Sequence, residues 1–422
     1  MNTSISNRNR KRVSAVILAF GVILFTCTMA SAEEAVNGAP GDWLSRYASA
    51  RSVGLGGAYV AVADEPMGIL WNPAGICRLN QNEVQIETVR LFDDTSINSL
   101  SFAVPARRLP TFGLTMLALK SGEFQRTNEL NEPLGEFSTG DYAFLLTAAK
   151  GLSTRWLVGA NLRVIRQTIE EFSGSGVGVD LGIMGQLTDA LSIGASALNL
   201  GGPNLTLREV EESYATDFRG GLALSLLDGN GLISAEVDYR DGPGANLRAG
   251  TEFWFFSSLA LRLGYYIDNI AGGFSYRFAN GLQFDYGVSD HELGVTHRFG
   301  LAFRFGGFHA SSQAVPEVFS PTGQQSVTKF LLKAHTKAEA KEWRLRIVNK
   351  SNEVVRSFGG QGVPPAHILW DGKDENGLPL PDGQYRYRLE VRDIANEEIV
   401  GKEHVVEIST GGPQGSVPVI VQ

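Results

Sequence analysis

The chain is poor in cysteine and histidine, and beyond residue 29 it has no apolar run long enough to cross a membrane as a helix. Each scarcity excludes something. Of the two cysteines, Cys27 lies in a leader-like segment, so only Cys77 would remain after export and no intrachain disulfide can form. Histidines 291, 297, 309, 335, 367 and 404 show no metal-ligand spacing, Cys77 has no nucleophile signature around it, and no serine sits in a Gly-x-Ser-x-Gly elbow. The reading is therefore non-enzymatic, with no catalytic residue, metal or cofactor expected. Positive charge is scarce too. Removing residues 1–32 takes away Arg8, Arg10, Lys11 and Arg12 but no acidic residue, leaving 33 basic against 45 acidic side chains. A net charge of −12 excludes nucleic acid, and an anionic lipid surface, as the main partner.

What is present begins with an export signal. A polar stretch with a basic patch leads into the apolar run Val13 to Met29 and the small-residue box Ala30-Ser31-Ala32. This is the pattern of a cleavable signal peptide over residues 1–32, with cleavage after Ala32. Thr26 before Cys27 is bulkier than the small residue usual at a lipoprotein site.

From 82 to 306 apolar and polar residues alternate with period two. In the stretch from Ile233 to Tyr239, Ile233, Ala235, Val237 and Tyr239 share one face while Ser234, Glu236 and Asp238 share the other. Leu282 to Val288, Phe274 to Phe278, Leu247 to Phe253 and Val177 to Ile183 repeat the scheme. Fourteen such segments begin near residues 83, 97, 111, 140, 156, 176, 190, 216, 231, 245, 259, 271, 282 and 293. Links from even to odd segments are short, whereas the two long links, Ser121 to Thr139 and Gly201 to Ala215, both run from odd to even. Outer-membrane barrels show that asymmetry between periplasmic turns and external loops. Alternation alone also fits a soluble β-sandwich, because it says only that one face is buried. Two features favour the membrane. Trp156, Tyr239, Trp254, Phe255, Tyr265, Tyr276 and Tyr286 stand near segment ends, as an interfacial girdle would. The other face is small or charged (Arg163, Asp180, Arg219, Glu236, Arg248, Glu252, Arg262, Arg277, Asp285, Arg298), which suits a wet or plugged lumen.

The last segment places Phe299, Leu301, Phe303 and Phe305 opposite Arg298, Gly300, Ala302 and Arg304. Arg298, Gly300, Phe303 and Phe305 together resemble the β-signal that closing strands present to the barrel-insertion machinery, which implies that Phe305 ends the barrel. Before the barrel, residues 33–81 hold a glycine-rich segment with Gly54, Gly56 and Gly57, and Asn72-Pro73 forces a turn. The glycine spacing does not fit a dinucleotide fingerprint. Gly56, Gly57, Ala58, Asp64, Asn72, Pro73, Ala74 and Gly75 resemble, position by position, the start of the PorV/PorQ family and more distantly the long-chain fatty-acid transporter family. The departure is Glu65-Pro66-Met67, where the transporters carry small and hydroxyl residues. The resemblance implies a 14-stranded outer-membrane barrel with an N-terminal plug in its lumen.

Beyond a linker at 307–314, residues 315–422 lose the glycine-rich alternation, and short strands separated by Asp371-Gly372, Asn376-Gly377 and Asp382-Gly383 read as a β-sandwich. The stretches around Phe319, Trp370 and Tyr385 resemble the Ig-like domain of FlgD-type proteins, with Trp370 and Tyr385 as core anchors and Asp371, Asp382 and Gly383 in hairpin turns. Asp371, Asp374 and Asn376 miss an EF-hand spacing, and Lys373 stands where a calcium ligand should be. The expectation is thus an all-β protein: a 14-stranded antiparallel transmembrane β-barrel with an N-terminal plug, then a small Ig-like β-sandwich in the periplasm. Its partners would be outer-membrane lipid, the insertion machinery, and periplasmic or secretion-system proteins docking on the sandwich. The functional expectation, drawn from the resemblance, is a PorV/PorQ-like role in protein secretion, surface attachment or envelope assembly; the alternative is passive transport of a hydrophobic, fatty-acid-like ligand.

Overall fold

The computed structural model describes Leu44 and residues 49–410, apart from 93, 107–108, 208–209, 228, 241–243, 257, 267–268, 291–293, 324 and 395–397. The expected leader, most of 33–48, and His291 lie outside the described residues. The chain divides into two units, 1–305 and 306–422.

Alternation sets the strands of the first unit. These are β1 (Asn82–Arg90), β2 (Ser96–Val104), β3 (Thr111–Lys120), β4 (Phe124–Thr127), β5 (Pro133–Phe137), β6 (Thr139–Gly151), β7 (Trp156–Ile169), β8 (Phe172–Gln186), β9 (Leu191–Leu200), β10 (Asn204–Leu207), β11 (Val210–Ser213), β12 (Asp217–Leu226), β13 (Gly231–Arg240), β14 (Gly244–Phe255), β15 (Leu259–Tyr266), β16 (Asn269–Arg277), β17 (Leu282–Ser289) and β18 (Thr296–Phe305). Fourteen of them form an antiparallel barrel, closed where β1 pairs with β18 from Asn82↔Phe305 to Arg90↔His297. Closure leaves no sheet edge unpaired, the condition for a sheet to sit in lipid. The remaining four make two hairpins, β4–β5 and β10–β11, within the two long links.

Burial is inverted relative to a water-soluble sheet. On β13, Ser234, Glu236 and Asp238 are buried, while Val237 and Tyr239 are 48% and 51% exposed. On β18, Arg298 and Ala302 point inward and Phe299, Leu301, Phe303 and Phe305 face out. Water would penalise an outer surface this rich in Leu, Val and Phe, whereas hydrocarbon requires it. The barrel is therefore membrane-spanning. Trp254 is a correction: its indole Nε1 donates to lumenal Glu252 at 3.0 Å and Arg277 stacks on its ring at 4.3 Å, so it faces inward. The other girdle aromatics alternate onto the outer face.

The second unit contains β19 (His309–Val315), β20 (Val318–Phe319), β21 (Thr328–His335), β22 (Ala340–Val348), β23 (Val354–Gln361), β24 (His367–Trp370), β25 (Gly383–Asp393), β26 (Glu398–Val400) and β27 (His404–Ile408). They form a three-stranded sheet, β19-β21-β24, and a six-stranded sheet over a shared core of Phe319, Phe330, Leu345, Trp370, Tyr385 and Tyr387. Trp370 packs edge-on to Tyr385, and its Nε1 donates to Lys373 O at 2.9 Å. The stretch 307–314 is no linker, because Phe308, Ala310 and Ala314 are buried in this core. Turn carboxylates are engaged locally. Asp374 Oδ1 accepts from the amides of Asn376 and Leu378, Asp382 Oδ2 accepts from Thr410, and the hydrogen bond from Lys373 holds the Asp371 carboxyl below its ordinary range.

Leu146 stands outward near the middle of β6 and is 56% exposed. Leu146→Arg should cost about 2–4 kcal/mol if that face meets hydrocarbon, against ~0.5 kcal/mol or less on a wet surface. Urea unfolding in lipid vesicles measures the difference, and a wet-surface value would refute the membrane assignment.

Candidate functional site

The described part of the plug, Leu44 and residues 49–81, contributes no strand to the wall. It consists of a short helix, α1 (Ala50–Gly54), and two 3-10 turns, Pro66–Leu70 and Pro73–Arg78. Proline opens both turns, where a missing amide hydrogen costs nothing. Asn72 caps the second, its Oδ1 accepting from Ala74 N at 3.1 Å. Its Nδ2 donates to Val60 O at 2.9 Å and to Ile183 O of β8 at 3.0 Å, so one side chain ties the plug to itself and to the wall.

Irregular backbone enclosed in a barrel needs partners for its amides and carbonyls. The plug's own turns supply some, and wall side chains supply others. Glu236 Oε2 accepts from Tyr59 N and Val60 N, both at 2.7 Å. Glu87 takes Ala50 N and Gln85 takes Met67 N, each at 3.1 Å. Asn161 donates to Ile69 O at 3.0 Å and Ser196 to Trp71 O at 2.6 Å. An ionic cluster completes the seat. Arg51 grips Glu252 bidentately at 2.9 and 3.0 Å and meets Asp64 at 2.5 Å, while Arg262 shares Glu252 at 2.5 Å. Of the residues that depart from the transporter-like pattern, Glu65 accepts from Ser49 Oγ at 2.7 Å and Pro66 starts the first turn.

Wall glycines let the backbones touch. A Cβ at Gly264 would lie 2.0 Å from Gly56 N, at Gly182 2.1 Å from Asn72 Oδ1, and at Gly194 2.2 Å from Val60 O. At Gly159 and Gly250 it would lie 2.4 Å from plug backbone, and at Gly287 2.6 Å. No side chain fits at these separations without moving the plug. This socket was not singled out from sequence, although all six glycines occupy lumen-facing positions of the alternating strands.

The lumen has two characters. From β12 to β18 it is ionic, with Asp217, Arg219, Glu236, Asp238, Arg248, Glu252, Arg262 and Asp285 buried inside. The sector β2–β3–β6 is different. Ile97, Ala103, Leu117, Ala143 and Leu145 face inward there, joined by Val89 and Ile165, and pack on the plug's Met67, Ile69, Leu70, Trp71 and Ile76. The expectation of a small or charged lumen holds for most of the wall, including Arg163 and Asp180 on β7 and β8 and Ser99, Ser101, Ala103, Thr115, Ala143 and Thr147 in this sector; the departures are Ile97, Leu117 and Leu145. At the end of the barrel carrying the long links, Leu205 of β10 and Tyr214, which follows β11, join this core. A cavity of about 40 Å³ lies there between Trp71, Arg248, Tyr266 and Arg298.

The structure distributes the sequence-selected residues as follows. Gly56 and Gly57 adopt φ of +63° and +76°, and a Cβ on Gly57 would meet Arg248. Gly54 lies over Arg262, Ala58 and Ala74 are buried, Asp64 meets Arg51, and Gly75 abuts Ala63 O. Those residues, with Asn72 and Pro73, converge on the plug seat. Of the β-signal set, Arg298 borders the cavity and Gly300 faces Glu87, while Phe303 and Phe305 face outward. Trp370, Asp371, Asp382, Gly383 and Tyr385 belong to the other unit.

Comparison with known proteins agrees with this division. The family model described as the FlgD Ig-like domain matches residues 319–394. The second unit carries a FlgD Ig-like domain. No curated protein matches the chain. Among solved structures, the chain is similar to a TodX monoaromatic hydrocarbon channel mutant (12% identity, TM-score 0.49, 61% of this chain and 99% of that one). It is also similar to the CymD monoaromatic hydrocarbon channel (13%, 0.48, 62% and 98%) and to a Pseudomonas aeruginosa FadL homologue (10%, 0.43, 62% and 97%).

Gly194→Ala drives a methyl into Val60 O and is expected to destabilise the plug seat by about 1–3 kcal/mol. Gly220→Ala, with nothing within 4 Å of its Cβ, is the control. Single-channel recording in planar bilayers should show openings in the first variant only; equal conductance in both would mean that the glycine socket does not seal the lumen.

Proposed function

We propose that this protein is an outer-membrane channel for small, largely apolar molecules, gated by its N-terminal plug. The observation that carries this reading is the two-sided lumen. A barrel needed only as an anchor can be narrow, since about eight strands leave an interior that wall side chains fill themselves. Fourteen strands leave a lumen that a separate segment must close. Here that segment shares no β-ladder with the wall. It is anchored on the ionic side through Arg51, Glu236 and Glu252, while its two 3-10 turns cover the apolar sector of β2, β3 and β6. A shift of the turns around Asn72-Pro73 would uncover a strip lined by Ile97, Leu117 and Leu145 without breaking the ionic anchor. Ser99, Ser101, Thr115 and Thr147 face the lumen between these residues, so the strip is mixed apolar and hydroxyl without a charge, which suits a small, largely apolar permeant. The structures named above include channels whose permeant is described as monoaromatic hydrocarbon, which accords with this chemistry.

The FlgD Ig-like domain supports a second reading. A channel needs no appended sandwich, so a PorV/PorQ-like role in protein secretion, surface attachment or envelope assembly would give the second unit a task, docking periplasmic proteins. Topology supports a periplasmic position for it, because β1 begins and β18 ends at the barrel end with short links.

The two readings separate in one set of strains and vesicles. Entry of an environment-sensitive naphthalene dye into proteoliposomes should be accelerated by the wild-type protein and changed several-fold by Asn72→Ala, which removes the tie to Ile183. Dye entry equal to protein-free vesicles for both forms would reject the channel. Deletion of 306–422 should leave dye entry intact; loss of cell-surface proteins in that deletion would establish the second reading.

A further inference from the structure

We propose that His309 and His335, with the carbonyl oxygen of Gly307, bind a borderline divalent metal ion of the Zn2+, Ni2+ and Cu2+ class at the start of the second unit. The two histidines are 26 residues apart in sequence, which hides them from any spacing rule, yet β19 and β21 pair so that His309 stands directly opposite His335. Both side chains are on the exposed face of the three-stranded sheet. Their rings are 6.3 Å apart at 70°. Gly306 and Gly307, at φ of +57° and +72°, turn the chain so that one carbonyl meets both rings: each Nδ1 lies 3.2 Å from Gly307 O. Phe308 packs on His335 at 5.1 Å and restrains that ring.

Two ligands held ~2.1 Å from a common ion, at angles between tetrahedral and octahedral, stand about 3.0–3.4 Å apart. Both Nδ1-to-carbonyl distances fall in that interval. Without an ion, each Nδ1–H donates to Gly307 O and uses one of its lone pairs. With an ion, each ring moves its proton to Nε2, and the two Nδ1 lone pairs and the carbonyl oxygen turn to the metal with no change in ring charge; both rings, whose centroids are 6.3 Å apart, must rotate toward each other to bring the two Nδ1 atoms into the same interval. Among the described residues no group of three or more His, Cys, Asp or Glu forms a ligand set, so water fills the remaining positions. Two imidazole ligands and no carboxylate select a nitrogen-seeking ion over Ca2+ or Mg2+; Lys333, on the same strand face, weakens binding of any cation. Occupation would fix the backbone of Gly306-Gly307, the residues that leave β18.

The test uses the full chain without a histidine tag, in detergent, titrated with Cu2+ and followed by electron paramagnetic resonance and competition with a chelator. The expected result is one site whose hyperfine pattern reports two imidazole nitrogens. His309→Ala and His335→Ala should each lower the affinity about 10- to 100-fold. His367→Ala, exposed on β24 of the same sheet, should leave it unchanged. Absence of copper binding by the wild type, fewer than two coordinated imidazoles, unchanged affinity in either single variant, or an equal loss in His367→Ala would overturn the proposal.

Discussion

Everything inside the barrel follows from the need to fill a wide lumen with backbone that is neither helix nor sheet for most of its length. Its short turns satisfy part of its amides and carbonyls internally, as Val62 N and Ala63 N do on Tyr59 O, but not all of them, and a closed wall offers no free strand edge to pair with the rest. For those that remain, side chains are the partners. Glu236 bridging the consecutive amides of Tyr59 and Val60 is the simplest solution, one carboxylate serving two donors. Asn72, Asn161, Gln85 and Ser196 extend the same logic to carbonyls and amides on the opposite side. Close approach then becomes a second requirement, and the wall glycines meet it.

These two requirements place different marks on the sequence. The membrane imposes a strict period of two on each strand, because every outward residue meets lipid, so fourteen segments could be counted and their starts fall within four residues of the strands. The Gly56-Gly57 and Asn72-Pro73 motifs were equally visible, since positive φ and a capped proline turn need particular residue types. Their counterparts were not. Gly159, Gly182, Gly194, Gly250 and Gly264 look like any small lumen residue until the barrel closes and sets each opposite a given plug atom. Trp254 was misplaced although alternation argued otherwise: it has the parity of lumenal Glu252 and is next to outward Phe255, so it must face inward, where Arg277 stacks on it. In 307–314 the buried Phe308, Ala310 and Ala314 do alternate, but the small polar residues among them disguised a strand as a linker.

The energetics of the plug seat explain how a tightly fitted segment can still be mobile. Buried ion pairs such as Arg51–Glu252–Arg262 lose much of their attraction to desolvation, so they fix geometry more than they add stability. Breaking one partner from such a cluster is nevertheless costly, because a buried charge is left behind. The ionic side therefore acts as a stiff hinge with a steep penalty for dissociation. The other side is less strongly tied: the side chains of Met67, Ile69 and Ile76 meet Ile97, Leu117 and Leu145 through non-directional contacts, and two neutral hydrogen bonds, Met67 N to Gln85 and Asn161 to Ile69 O, add direction.

On the proposed channel reading, that asymmetry would make apolar chemistry the trigger as well as the cargo. Water entering beside the 3-10 turns would expose apolar surface on both plug and wall, and it would leave Asn72 to exchange its bond to Ile183 for a solvent bond of similar worth. An apolar solute entering the same place keeps both surfaces dry. In the proposed channel the closed state would be favoured against water and ions by the apolar contacts, and against an apolar solute by the bonds of Asn72, Asn161 and Gln85, which such a solute cannot replace, at about 1–3 kcal/mol for each polar group left unpaired. Selectivity of this kind requires no recognition pocket, only a lumen whose wall changes from ionic to apolar around its circumference.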